Sequence, residues 1–254
     1  MRINRLFSAQ AIGTAIDLPL ELSLDDKQSH YVQHVLRHRV GDSVRVFDGN
    51  GGEYDAEIVS LQRRTTVVQL LSFDPRNRTS KLQVTLGIAV SRGDRFDFAL
   101  QKATELGVHR IQPLLSRRTD KKPKPAQLEK KREHWQAVVA SACEQCGLNI
   151  LPLVAPPCSV EQWLEDQVYE NGLLLHPEGD SMESEVLRKM ANAQPEFTLA
   201  IGPEGGFDDS EVNQFIGKRF KPVALGPRIL RTETAPLAML AVLQYAAGDL
   251  GTGL

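Results

Sequence analysis

Cysteine and aromatic residues are scarce: three cysteines, and 6% Phe, Trp and Tyr, in 254 residues. Three thiols cannot all pair within one chain, so a disulfide scaffold is excluded and a reducing, cytosolic setting is expected. No apolar run approaches the roughly 18–20 residues of a membrane span. The opening segment Met1–Phe7 lacks the apolar stretch of a secretion leader. Neither GxGxxG nor GxxxxGK[ST] occurs, so the usual phosphate loops are missing. There is no basic excess either: 30 Lys and Arg face 32 Asp and Glu, a net charge of −2. That balance excludes an indiscriminate nucleic-acid binder. A hydrophobic share of 41% excludes a disordered chain. The length suits one large domain or two modest ones.

The pattern changes near residue 75. Before it, Ser43–Phe47, Tyr54–Val59 and Thr65–Leu71 read as short strands, with Asp48-Gly49-Asn50-Gly51-Gly52 as a tight turn. Short strands and tight turns suggest a small barrel. A helix is expected over Lys27–His38, with Gly41 beyond its end. The polar segment from Asp74 through Pro75 to Ser80 reads as a linker, giving domains 1–74 and 82–254 around a connection at 75–81.

Strand and helix signals alternate beyond it. Strands are expected at Leu82–Val90, His109–Leu115, Ile150–Val154, Gly172–His176, Phe197–Ile201 and Val223–Leu225. Helices are expected at Asp94–Leu106, Ala126–Cys146, Val160–Val168, Met182–Ala193, Asp208–Ile216 and Thr234–Ala247. This alternation predicts an α/β fold with a mostly parallel sheet covered by helices. Ligands of such sheets bind beyond the carboxyl ends of the strands, and three loops there are unusual.

The first ends the strand Leu173-Leu174-Leu175 at His176-Pro177, which reads either as a rigid turn or as a site. The second is Ile201-Gly202-Pro203-Glu204-Gly205-Gly206, followed by Asp208 and Glu211 spaced as a capping box. Its glycines allow close backbone approach to a ligand. Pro203 has no N–H and Glu204 is anionic, so a neutral or cationic ligand suits it better than a phosphate. The third, Leu225-Gly226-Pro227-Arg228-Ile229-Leu230-Arg231-Thr232-Glu233-Thr234-Ala235, joins strand to helix. Thr232 or Thr234 is placed to cap the last helix. Capping does not account for Arg228 and Arg231 beside Glu233.

These last two motifs, in this order, resemble the RsmE-type ribosomal RNA methyltransferases of the SPOUT class. Further matches are Arg5-Leu6-Phe7, His34-Val35-Leu36-Arg37 with Gly41-Asp42, Lys102-Ala103-Thr104-Glu105-Leu106-Gly107-Val108, and Glu144-Gln145. Leu148 departs from the pattern, where relatives often carry arginine. The resemblance implies a SPOUT domain with a deep trefoil knot, preceded by a PUA-like β-barrel that binds RNA. It implies a cytoplasmic homodimer that transfers methyl from S-adenosyl-L-methionine to N3 of a uridine in 16S ribosomal RNA, within the 30S subunit.

The residues fit that chemistry. Leu175, Ile201, Leu225, Ile229 and Leu230 offer aliphatic surface to an adenine. Backbone near His176, Pro177, Gly202, Pro203, Gly205, Gly206, Gly226, Thr232, Thr234 and Ala235 completes the expected cofactor site. Ionising uracil N3 at neutral pH costs about 3 kcal/mol, and a cation beside O2 or O4 lowers that cost. Arg231, and then Arg228, are the candidates. Both stay protonated and cannot act as bases, so Glu204, Glu233 or water would take the proton.

Basic residues are concentrated locally. Arg5, His30, His34, Arg37, Arg39, Arg92, Lys102, Arg117 and Arg118 are the expected RNA contacts. Arg76, Arg78 and the run Arg117–Lys124 add to them, while Glu161, Glu165 and Asp166 lie elsewhere. His30, His34 and His38 would share a helix face, but no carboxylate nearby completes a metal site. Cys143 and Cys146 have no second pair, so both read as structural thiols. The last helix, apolar on most sides, would face both the core and a second subunit. Two other readings use the same loops: a non-catalytic RNA-binding or ribosome-assembly module, and a methyltransferase acting on another RNA.

Overall fold

The computed structural model describes residues 3–14, 16–119, 125–165 and 169–251, apart from the side chains of 125, 126 and 184. The chain divides into two compact units. One comprises residues up to Thr79 together with Cys143–Leu151, and the other comprises Ser80–Ala142 and the chain from Pro152 on.

The first unit holds a five-stranded mixed sheet. Its strands are β1 (Asn4–Phe7), β2 (Leu20–Ser23), β3 (Ser43–Phe47), β4 (Glu53–Leu61) and β5 (Thr66–Asp74), in the order β1-β3-β4-β5-β2. The β1–β3 pair is parallel and the other pairs are antiparallel. Alternation along β3 to β5 buries Val44, Val46, Ala56, Ile58, Val68 and Leu70 in one core with Leu6, Leu22 and Val32. The expected helix Lys27–His38 is shorter and changes type. Helix α1 (Asp26–His30), capped by Asp25, passes into a π-helical turn at Tyr31–Val35. Arg37 then takes φ 56°, which ends the helix before His38.

Arg5 anchors the segment that follows the long helix. Its guanidinium bonds the carboxylate of Glu53 at 2.8 Å, and it also donates to the carbonyls of Cys143 and Leu148 and to the side chain of Asn149. Glu144 accepts from the Phe7 N–H at 2.9 Å. Leu148 is buried with Phe47 and Cys143. Burial pushes the Cys143 thiol up to about 12, and all three cysteines are free.

The second unit carries a wholly parallel sheet. Its strands are β6 (Gln83–Ala89), β7 (Arg110–Leu115), β8 (Leu153–Val154), β9 (Cys158–Ser159), β10 (Gly172–Asp180), β11 (Glu196–Ile201) and β12 (Lys221–Val223). The order is β12-β10-β11-β6-β7-β8, with β9 also on β7. Among the described residues this unit has six helices, five between strands and the last after β12. They are α2 (Gly93–Glu105), α3 (Pro125–Cys146), α4 (Val160–Leu164), α5 (Ser184–Ala193), α6 (Asp209–Gly217) and α7 (Thr234–Ala247). Leu114, Leu174 and Ala200 of the strands pack with Leu164, Phe207, Phe215 and Phe220 in one core.

The sequence pattern does not show β1, β2 or β9, β4 and β5 run longer than expected, and three expected strands of the second unit have other bounds. Ile150–Val154 is reduced to Leu153–Val154, because the chain up to Leu151 packs in the first unit. Val223 ends β12, so Ala224 and Leu225 belong to the loop. The strand after Gly172 does not stop at His176-Pro177 but runs to Asp180. Its register against β12 shifts between Leu175 and Asp180, so the extra residues are absorbed as a bulge. Gly179 sits there because a Cβ would lie 2.4 Å from the Val223 nitrogen.

Candidate active site

The His176-Pro177 segment is the bulged outer half of β10, and the other two unusual loops follow β11 and β12; these three strands are neighbours in the sheet. All its pairings are parallel, so these loops emerge along one edge, followed by those after β6 and β7. This is the carboxyl edge at which open α/β sheets bind ligands.

Each loop is held by local bonds. The β10 bulge is pinned where the Ala224 N–H donates to the Asp180 carbonyl at 3.0 Å. His176 Nδ1 accepts from the Glu178 N–H at 3.2 Å. Leu175 and His176 are half-buried and Pro177 is exposed. In the β11 loop the Gly206 N–H donates to the Pro203 carbonyl at 2.8 Å. Gly202 is required there, since a Cβ would lie 2.8 Å from the Phe207 nitrogen. Ile201 and Pro203 are buried, whereas Glu204, Gly205 and Gly206 face outward.

The capping box forms as its spacing predicts. Asp208 accepts from the Glu211 N–H at 2.8 Å, and Glu211 accepts from the Asp208 N–H at 3.1 Å. The Glu211 N–H beside it holds the Asp208 carboxyl below the usual range. Glu211, itself buried, also accepts from the Arg117 N–H at 2.9 Å. Arg118 donates to the Gly205 carbonyl at 2.8 Å. The loops after β7 and β11 are thereby tied together, and Arg117 and Arg118 stand at the site edge.

The third loop is open on its outer side. Gly226, Pro227, Arg228 and Arg231 are exposed, Leu225 and Leu230 are half-buried, and Ile229 is 87% exposed. Gly226 adopts φ 77°, a left-handed turn suited to glycine. Neither threonine caps α7, contrary to expectation. Glu233 occupies the cap position in a helical conformation, without a side-chain cap bond. The Thr234 and Ala235 N–H groups instead donate to the Arg231 carbonyl, both at 2.9 Å. Thr232 is buried. One Glu233 carboxylate oxygen is buried with no hydrogen-bond partner, and a ligand or a reacting N–H would satisfy it.

Beside Glu204 and Gly205 lies a cleft of about 730 Å³, walled by Arg92, Gly93, Asp94, Arg95 and Arg118. Arg95 reaches Glu204 at 3.4 Å, with both side chains half exposed. The sequence singled out Arg92 and Arg118 but not Arg95. Its side chain reaches the site only because α2 starts at the same sheet edge.

Lys102 is about 14 Å further along α2, paired with Glu105 at 2.7 Å. Arg5 is turned inward, its side chain only 9% exposed, and is occupied by Glu53 and backbone carbonyls. It is a structural anchor rather than an RNA contact. His30 and His34 are exposed, with ring centres 4.6 Å apart. His38 leaves their face, since it bonds Asp42 at 2.9 Å and accepts from Asn4 at 2.9 Å. Arg37 and Arg39 are exposed. Residues 120–124 of the basic run lie outside the described residues. Among the described residues no cluster of three or more potential ligands could hold a metal, and no helix is long and apolar enough to cross a membrane.

Two family models match the chain: an RNA methyltransferase domain over residues 78–244 and an RNA methyltransferase PUA domain over residues 24–71. Ribosomal RNA small subunit methyltransferase E of Buchnera aphidicola subsp. Schizaphis graminum is 34% identical over 231 residues, 90% of this chain and 92% of its own. A solved Legionella pneumophila chain, in complex with the bound cofactor SAM, superposes with a TM-score of 0.90 at 34% identity, covering 98% of this chain and 100% of that one. A ribosomal RNA small subunit methyltransferase E from Neisseria gonorrhoeae, bound to S-adenosyl methionine, gives 0.87 at 32% identity, with 98% and 100% covered.

Proposed function

The chain belongs to the ribosomal RNA small subunit methyltransferase E family, and from that membership we propose that it transfers a methyl group from S-adenosyl-L-methionine to N3 of a uridine in 16S ribosomal RNA. The observation that carries this reading is the convergence of the three loops on adjacent strands β10, β11 and β12.

The residues present fit the cofactor. S-adenosyl-L-methionine is a sulfonium cation carrying an apolar adenine. The three loops offer exposed Ile229, half-buried Leu175, Leu225 and Leu230, and backbone groups around Gly202 and Gly226. The anionic and proline-bearing Pro203-Glu204 segment is suited to a cation and not to a phosphate. When bound, the cofactor supplies an activated methyl group.

This chain's own residues bind, orient and manage the proton. Exposed Arg231 is assigned to the uracil oxygens, where its permanent charge favours the N3 anion, and Arg228 supports it. Receipt of the N3 proton is assigned to Glu233, whose unpaired buried oxygen supports that role, or to Glu204, which faces Arg95 at the cleft. Methyl transfer then requires in-line positioning. RNA docking is assigned to the PUA unit, residues 1–74, through His30, His34, Arg37 and Arg39, and to Arg92, Arg117 and Arg118 beside the site. The SPOUT unit, residues 82–254, would be knotted and would work as a homodimer in the bacterial cytoplasm, on RNA within the 30S subunit.

The test is methyl transfer from labelled cofactor to 30S subunits, naked 16S RNA and transfer RNA, followed by mapping of the modified base. Label at uridine N3 of 16S RNA is expected, and label confined to transfer RNA overturns the reading. Arg231→Ala is expected to keep cofactor affinity within about two-fold and to lower single-turnover methylation about 100-fold or more, the size of losing one charge-stabilising donor. Near-normal single turnover removes Arg231 from the mechanism.

A further inference from the structure

The cleft beside Glu204 does not end at Arg95. Gly93 also lines a second, smaller cavity of about 280 Å³ between α2 and α3. Lys130, Lys131 and His134 of α3 form one wall of it, over a floor of Phe96 and Trp135. Those rings pack on each other with centres 4.7 Å apart and are at most 4% exposed, so neither offers a free face for a base to stack on. The recognition chemistry left to this cavity is that of its cations.

The charges along the two cavities favour an anion. Five permanent cations, Arg92, Arg95, Arg118, Lys130 and Lys131, line them against three carboxylates, Asp94, Asp97 and Glu204. Two of those carboxylates are paired within the lining, Glu204 with Arg95 at 3.4 Å, which occupies one of the five cations as well, and Asp97 with His134 at 2.7 Å. The chain as a whole carries net negative charge, so this basic run is a local departure from the average. Lys130 and Lys131 are both exposed, and Lys131 lies 5.9 Å from the Trp135 ring centre, its head group over the cavity floor.

We propose that the two adjoining cavities form one track for the phosphodiester backbone of the RNA strand flanking the modified nucleotide, with Arg92, Arg95 and Arg118 holding the phosphates next to the site and Lys130 and Lys131 holding those further along. The occupant is an RNA strand because the track opens at one end onto the site edge at Glu204 and Gly205, and because it offers cations without an exposed stacking platform. This inference rests on the methyltransferase reading and extends it to Lys130 and Lys131 of α3, which lie outside the sequence motifs. Lys130 and Lys131 are positioning residues: they touch the strand and not the reacting atoms.

The measurement is the affinity of small-subunit ribosomal RNA for the full chain as a function of salt, for wild type, Lys130→Ala/Lys131→Ala and Arg95→Ala, with S-adenosyl-L-methionine affinity determined in parallel. Each lost phosphate contact to a single strand lowers the slope of log K against log salt by about 0.7, and weakens binding about five-fold at 0.1 M salt. The double lysine variant is therefore expected to lose about 1.4 in slope, with cofactor affinity retained and the kinetic loss carried by KM rather than kcat. Lys130→Arg/Lys131→Arg is expected to restore the slope. An unchanged slope in the double variant overturns the track, whatever happens to affinity. If the double variant loses cofactor affinity through misfolding, Arg95→Ala decides by the same slope. A wild-type chain that binds neither RNA nor cofactor would instead remove the methyltransferase reading itself.

Discussion

Glu53 has no exposed side-chain surface, and three arginines reach its carboxylate: Arg5 at 2.8 Å, Arg45 at 3.0 Å and Arg78 at 3.5 Å. A buried charge is tolerated only when it is paired. Arg5 does more than neutralise Glu53, since its other nitrogens satisfy carbonyls at and beyond the end of α3. Removing it strips Glu53 of one partner and takes a donor from the Leu148 carbonyl and the Asn149 side chain, while the Cys143 carbonyl keeps the Gly147 N–H at 3.0 Å. Arg5→Ala is accordingly expected to lower unfolding free energy by about 2–3 kcal/mol, the usual result of unsatisfying buried polar groups, as read by urea denaturation. Arg5→Lys should rescue little of this, because one ammonium cannot reproduce the forked guanidinium bonds. A loss below about 0.5 kcal/mol for Arg5→Ala would place the residue among ordinary surface substitutions.

At the scale of elements, α6 and its capping box show how sequence signals become geometry. Asp208 closes the box, and its carboxyl sits below the ordinary value of 3.8, chiefly through the Glu211 N–H. A group whose folded pKa is depressed stabilises the fold above its unfolded pKa and loses that contribution as pH falls through the folded value. Asn caps equally well and does not titrate. Asp208→Asn is thus expected to fall below wild type in Tm above the unfolded carboxyl value of about 3.9, where the ionised side chain also favours the helix N-terminus, and to converge on wild type as pH falls through the depressed folded value. Parallel Tm profiles across that range would show that Asp208 ionisation contributes nothing.

This box was legible because an Asp and a Glu three residues apart encode it locally. The glycine-bearing loops were legible for the same reason, and so was the α/β alternation. Other features were not. The π-helical turn at Tyr31–Val35 contains residues that fit an α-helix equally well, and only its i→i+5 bonds distinguish it. The strand through His176-Pro177 hid behind a proline that a bulge accommodates. Arg5 read as an RNA contact because its partners lie 48 to 144 residues away in the chain. Arg95, Lys130 and Lys131 carry no motif at all; only the packing of α2 and α3 assembles them into a cavity.

At the scale of the whole molecule, α7 poses a question its own unit does not answer. Pro236, Met239, Leu240 and Leu243 are buried, yet Val242 is 40% and Tyr245 65% exposed on the same apolar helix. Ile229, in the site loop leading into α7, is 87% exposed. Large apolar side chains left in water along one helix and its leading loop mark an interaction surface, and a second copy of the chain is the occupant that the homodimer reading requires. A self-complementary C2 patch is sensitive to charge, because one substitution places two like charges at the interface. The wild-type chain is expected to sediment as a dimer at micromolar concentration, and Tyr245→Glu as a monomer with an unchanged far-ultraviolet circular dichroism spectrum. The argument extends to the site: Ile229 is both a proposed adenine contact and part of the exposed apolar surface, so dissociation should also weaken cofactor binding, measurably by calorimetry. A wild-type monomer, or a Tyr245→Glu variant that remains dimeric, would mean that the exposed face of α7 is not where two copies meet.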